Sequence, residues 1–404
     1  MEFYTYTLPN GIRGIHRQVR GSVAHCALVI GAGSRDEHPG QYGLAHLTEH
    51  AFFKGTERRR AWQVNCRLEN LGGELNAFTT KEETTIHATT LRGDFAKAVE
   101  LIADIAFRST FPEREIEREK EVIADEINTY KDSPAEMLYD TFEDMLFEGS
   151  ELGHNILGRK AALMRYDGAA IRAFTARTHT TDRMVFSSIG NFSPKTAEAT
   201  ALRYFGEQAA TTRGFERAAP PAVKPFEKTV TKHTHQTHCI IGNRACGIEE
   251  TKRLPLALLV NVLGGPSANS LLNVEVREKH GLSYNIEANY IPYGDSGLVA
   301  IYFSSEHANE AQCAELVERQ LQRLRTTPLT GRQLSMAKKQ FIAQLAISGE
   351  SNENYMLSAG KSLLTHDEID TMEEVYAKIG ALTAAQLTEA AEEVFTKMSR
   401  LTYK

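Results

Sequence analysis

The feature that most limits what this chain can become is a faint internal repetition. His238-Cys239-Ile240-Ile241-Gly242 echoes His25-Cys26-Ala27-Leu28-Val29-Ile30-Gly31. Pro328-Leu329-Thr330, followed by a helical pattern through Ala337, Phe341 and Leu345, echoes Pro112 and the glutamate-rich segment behind it. Both echoes share an offset of roughly 215 residues, about half of the 404-residue chain. A chain of that length exceeds what one hydrophobic core usually serves, so two domains are expected. Apolar runs of strand character and helical periodicity occur in both copies, which makes the fold class α+β, duplicated. Pro220-Pro221 and Pro225 mark the join. The expected division is residues 1–210, a linker over 211–227, and residues 228–404.

The first copy carries a stretch that the second lacks, Gly43-Leu44-Ala45-His46-Leu47-Thr48-Glu49-His50. On a helix, His46 and His50 project from one face, one turn apart. Two neutral imidazoles so placed can hold Zn²⁺ at roughly 2.0–2.1 Å. Glu49 falls beside the open coordination position and can take a proton from water, whose pKa zinc lowers from about 15.7 to about 7. The plainer reading is two core histidines and a surface glutamate, and an open catalytic site needs a third ligand. Farther along, Glu115 to Ile127 reads as a helix with Ile116, Val122, Ile123 and Ile127 facing inward. Glu119 and Glu126 lie two turns apart on it and share a face, whereas Glu113, Glu115, Glu117 and Glu121 read as solvated charge.

Composition narrows the field from the other side. A net charge of −6 and a pI near 6.2 argue against a nucleic-acid partner. No apolar run is long enough to span a bilayer, and the first residues lack a basic segment followed by an apolar one, so neither membrane nor export is expected. Five scattered cysteines with no Cys-x-x-Cys pair fit a reducing compartment, the cytoplasm by default.

His-x-x-Glu-His with a distant glutamate helix resembles the inverzincins of the pitrilysin and mitochondrial-processing-peptidase family. The resemblance runs over nearly the whole chain and implies a zinc metalloendopeptidase of two homologous α+β domains, each a mostly antiparallel sheet packed with helices. By it, His46, His50 and Glu126 hold one zinc per chain, Glu49 is the general base, and Glu119 is a supporting glutamate. Gly73-Glu74-Leu75-Asn76-Ala77-Phe78-Thr79-Thr80 is similar to the family segment whose edge strand receives the substrate as an added strand. That gives Asn76, Ala77 and Phe78 to substrate binding, the plainer alternative for Asn76 being a turn or cap residue. Arg277-Glu278-Lys279-His280-Gly281-Leu282-Ser283-Tyr284 is similar to a segment whose Arg and Tyr reach the substrate. Arg277 would then grip a carbonyl or carboxylate, and Tyr284 would donate to the tetrahedral oxyanion. Without the family they read as a surface helix residue and a strand core residue.

The resemblance further implies an enclosed chamber that admits unfolded peptides, of which one chain supplies half. A homodimer follows, with Arg277 and Tyr284 facing the partner's zinc. The competing class is a catalytically silent scaffold or peptide-binding subunit of the same fold, or a subunit active only with a non-identical partner. Two further patterns carry little. His233, His235 and His238 on an expected strand have mismatched parity for a second metal site, and Gly264-Gly265-Pro266-Ser267 lacks the Gly-Lys-Ser/Thr ending of a phosphate loop.

Overall fold

The computed structural model describes residues 3–222 and 224–404; Met1, Glu2 and Val223 of the expected linker lie outside the described residues. Six strands form the first sheet: β1 (Tyr4–Thr7), β2 (Arg13–Gln18), β3 (Val23–Ile30), β4 (Glu74–Thr79), β5 (Thr84–Leu91) and β6 (Met184–Gly190). Their order is β1-β2-β6-β3-β5-β4. Five strands form the second: β7 (Glu227–Val230), β8 (Thr237–Ala245), β9 (Ile286–Pro292), β10 (Gly297–Ser305) and β11 (Ser399–Tyr403), ordered β7-β11-β8-β10-β9. The second order repeats the first without β1. Each sheet contains one parallel pair, β2 with β6 and β7 with β11, and is otherwise antiparallel. The repetition in the sequence is thus a repetition of topology.

In the first unit, α1 (Leu44–Phe52), α2 (Ala61–Glu69), α3 (Phe95–Arg108) and α4 (Glu113–Lys131) are the helices around the metal motif. Leu44, Leu47 and Phe52 of α1, Val64 and Leu68 of α2, and Val99, Ile102 and Ile105 of α3 share one core with Leu28, Ile30 and Ile86 of the sheet. Helix α4 adds Ile116, Ile123 and Ile127. Val122, expected to face inward as well, is 53% exposed. It points about 100° round the helix from Ile123, away from the stripe set by its neighbours.

The compact units are not contiguous halves. The first comprises residues 1–129, 154–218 and 347–369; the second comprises 130–153, 219–346 and 370–404. The physical reason lies in the sheets, whose two faces both carry apolar side chains and need covering. In the first unit, Ala359, Leu363 and Leu364 of the Asn352–His366 helix cover Ile15, Val29 and Val185. Gly360 permits the approach, because a Cβ there would stand 2.9 Å from Val29 Cγ2 and 3.1 Å from Ser187 Cβ. In the second unit, Leu138, Phe142 and Leu146 of α5 (Pro134–Leu146) pack with Ile240, Ala300 and Leu401. The expected linker also begins later than 211. Arg217 forms an ion pair with Asp36 (2.8 Å) and Arg213 donates to the Gly31 carbonyl, so residues up to 218 belong to the first unit.

Candidate metal centre and peptide edge

Helix α1 is aimed by its N-terminal end. The buried Glu37 carboxylate accepts from the backbone N–H of Gly43 (3.0 Å) and of Ala45 (2.6 Å), satisfying amides that a first helical turn leaves open. His154 holds the same carboxylate through Nε2 at 2.8 Å and stacks on Tyr42, a structural role. Burial pushes the Glu37 carboxyl up, against the opposing pull of His154 and the two amides. Gly43 itself sits at φ +94°, and a Cβ there would stand 2.7 Å from the Leu157 carbonyl, so this position needs glycine.

One turn on, the two imidazoles meet with ring centroids 4.6 Å apart. Nε2 of His46 and Nε2 of His50 each lie 3.8 Å from Oε2 of Glu126, which α4 brings in from the far side. Among the described residues this is the one group of three that can converge on a metal ion. The donor set, two imidazoles and a carboxylate, is that of a catalytic zinc site with an open position. Tetrahedral zinc with bonds near 2.05 Å spaces its ligand atoms roughly 3.3 Å apart. The observed spacings are close enough for small rotamer adjustments to bring them onto one ion. Burial, reinforced by His50, lowers the His46 pKa to about 3, so this imidazole is a neutral donor at ordinary pH.

Glu119 does not join the three; it acts one step behind them. Its Oε1 is 2.8 Å from His50 Nδ1 and its Oε2 is 2.5 Å from the Lys54 ammonium. This is the carboxylate–histidine pairing that fixes the tautomer and ring orientation of a metal-binding imidazole. Burial acts to raise the Glu119 carboxyl, but His50 and Lys54 together hold it below its ordinary value. The one sequence signal for Lys54 is its position four residues after His50, one helical turn on. His46 Nδ1 has no such partner among the described residues.

Glu49 lines a cavity of about 420 Å³ together with His50, Glu119, Asn76 and Ala77. Burial raises its pKa; hydrogen bonds from Thr79 and the His50 charge oppose the shift, and Glu126 adds to it. Asn76, Ala77 and Phe78 all lie on β4, whose outer side has no strand neighbour among the described residues. The exposed Asn76 side-chain amide has no hydrogen-bond partner among the described residues, while its backbone pairs opposite His87 of β5, so it is a strand residue rather than a turn. Phe78 packs edge-on to His87.

Arg277 and Tyr284 belong to the second unit. Arg277 is on a π-helical segment, Asn273–Lys279, and its guanidinium lies 5.1 Å over the Tyr284 ring. Tyr284 is 83% exposed and precedes β9, so it is no strand core residue. His233 and His235 fall between β7 and β8, and His238 on β8 pairs with the Tyr302 hydroxyl at 2.8 Å. Near the place of Glu126 the second copy offers Gln340, hydrogen-bonded to Asn269, and Gln344, hydrogen-bonded to Asn261 and Ser267.

Residues 15–160 match the family Insulinase (Peptidase family M16), and residues 167–341 match the Peptidase M16 inactive domain. The chain is 32% identical over 396 residues to the uncharacterized zinc protease YmxG of Bacillus subtilis, covering 97% of this chain and 95% of that one. An uncharacterized zinc protease of Mycobacterium leprae is 28% identical over 399 residues, covering 97% of this chain and 89% of its own. In fold, the chain is similar to the peptidase M16 inactive domain from Pseudomonas fluorescens, with a TM-score of 0.92 at 20% identity, covering 100% of this chain and 98% of that one. A protease from Helicobacter pylori gives 0.91, also at 20% identity, covering 100% and 99%.

Proposed function

This chain belongs to the insulinase family, peptidase family M16, and from that premise we propose that it is a zinc-dependent metalloendopeptidase acting on extended peptides. The observation that carries the reading is the convergence of His46, His50 and Glu126, with Glu119 seated behind His50. His46, His50 and Glu126 would hold one zinc ion. When bound, zinc supplies Lewis acidity, polarising a carbonyl and lowering the pKa of water from about 15.7 to about 7. Glu49 takes the proton of the attacking water and delivers it to the leaving amine. Its raised pKa brings it nearer to a base that can both accept and return a proton.

The outer side of β4 offers the backbone groups of an unpaired strand, so a peptide can add there with little regard to sequence. Asn76 holds its backbone, and Ala77 and Phe78 form the edge. Arg277 and Tyr284 are proposed to serve a partner copy's site in a homodimer, Arg277 on the substrate backbone and Tyr284 on the oxyanion. Enclosure in that assembly restricts substrates to unfolded peptides. Five free cysteines accord with a cytoplasmic setting, and no described helix is long and apolar enough to cross a membrane.

The test is Glu49→Gln. The variant should retain zinc while cleavage of an unstructured fluorogenic peptide falls by roughly 10²–10⁴-fold, the usual contribution of a positioned base. A scaffold predicts zinc in both proteins and cleavage by neither. Protein that takes up no zinc when metal-replete refutes the ligand assignment itself.

A further inference from the structure

The cavity beside the metal ligands has a wall that the chemistry above leaves unused. Trp62, Asn65 and Glu69 follow one another at i, i+3 and i+7 along α2 and share one helix face. Asn65 and Glu69 line the cavity, together with Phe53 and Leu75. Among the described residues neither the Glu69 carboxylate nor the Asn65 amide has a hydrogen-bond or ion-pair partner. The cavity's one lysine, Lys54, is already engaged, 2.5 Å from Glu119. Trp62 is the only tryptophan of the chain and is 62% exposed.

We propose that this face of α2 selects a long basic side chain, lysine or arginine, in the substrate residue next to the cleaved bond. The proposal rests on the peptidase reading and names its specificity. Phe53 and Leu75 accommodate the apolar stem of such a side chain, and Glu69 and Asn65 receive its cationic head. The Trp62 indole, one turn from Asn65, offers a π face to the same charge. A substrate carboxylate would instead meet the Glu69 carboxylate, with the cavity's lysine, Lys54, already held by Glu119. A neutral apolar side chain would strip water from Glu69 and return no hydrogen bond.

The experiment uses unstructured peptides that differ only at that residue: Lys, Arg, Gln, Leu or Glu. Wild type is expected to cleave the Lys and Arg peptides with kcat/KM about tenfold or more above the Gln peptide, the worth of one charge-assisted hydrogen bond. Glu69→Gln should bring that ratio close to one, and Glu69→Lys should move the preference toward Glu. Binding is read separately in the Glu49→Gln background, from the fluorescence of Trp62 on titration with the Lys and Gln peptides. Tighter binding of the Lys peptide, lost on adding Glu69→Gln, supports the proposal even if no peptide is cut, which would count against the peptidase reading alone. Equal binding, or a basic preference that survives Glu69→Gln, overturns it. Glu69 is exposed, so an unchanged thermal midpoint is expected to certify the variant's fold.

Discussion

Removing the Glu119 carboxylate should weaken zinc binding although Glu119 does not reach the metal position. Its side chain is 10% exposed and holds two partners, His50 Nδ1 at 2.8 Å and Lys54 Nζ at 2.5 Å. A hydrogen bond to a charged group contributes about 1.5–3 kcal/mol. Loss of the one that orients His50 should therefore lower zinc affinity roughly 10–100-fold, the usual range for a group behind a metal ligand. Two substitutions separate charge from contact. Glu119→Gln keeps an oxygen for His50 but leaves Lys54 facing a neutral amide, so its loss should be about tenfold. Glu119→Ala frees the imidazole to rotate and should approach about 100-fold. Competition against a chelator of known affinity at neutral pH measures both, and circular dichroism certifies the fold. Zinc affinity equal to wild type in Glu119→Ala would refute the positioning role. Equal losses in the two variants would show that the charge alone matters.

Acid should destabilise the first unit through His179, whose pKa burial lowers to about 4 and whose ring nitrogens both lack partners among the described residues. The unfolded chain takes up this proton from about pH 6.5 downward and the folded chain only near pH 4, so stability is full above 6.5 and declines by about 3 kcal/mol toward 4. His179→Phe, fitting beside Phe52 and Phe174, should flatten the thermal midpoint across that window; an unchanged slope would contradict the assignment. If Arg277 and Tyr284 serve the partner copy, mixing Glu49→Gln with Arg277→Ala protein should restore activity as subunits exchange. Full activity of a light-scattering monomer, or no restoration despite exchange, would place these residues in the same chain's site.

Much of the candidate metal centre was legible because it obeys helix periodicity. His46 and His50 lie on one face of α1 whatever surrounds them, and Glu119 and Glu126 share one face of α4 for the same reason. Strand β3 was readable because every residue from Val23 to Ile30 except His25 is apolar. Val122 misled because an apolar residue within a helix was assigned inward by type rather than by angle. The Glu37 cap, the Lys54 partner of Glu119 and the Arg217–Asp36 ion pair escaped because polar side chains carry no periodic signal that names a partner.

By itself, the sequence determined that there are two copies of one α+β fold, and that the His-x-x-Glu-His helix is confined to the first. Both properties are local or repetitive, and so survive without knowledge of distance. Only the tertiary structure decided that α4 brings Glu126 within 3.8 Å of both histidines, and that α5 and the Asn352–His366 helix belong to units other than their neighbours in sequence. Those outcomes depend on which apolar faces bury each other, a choice made among segments far apart in the chain.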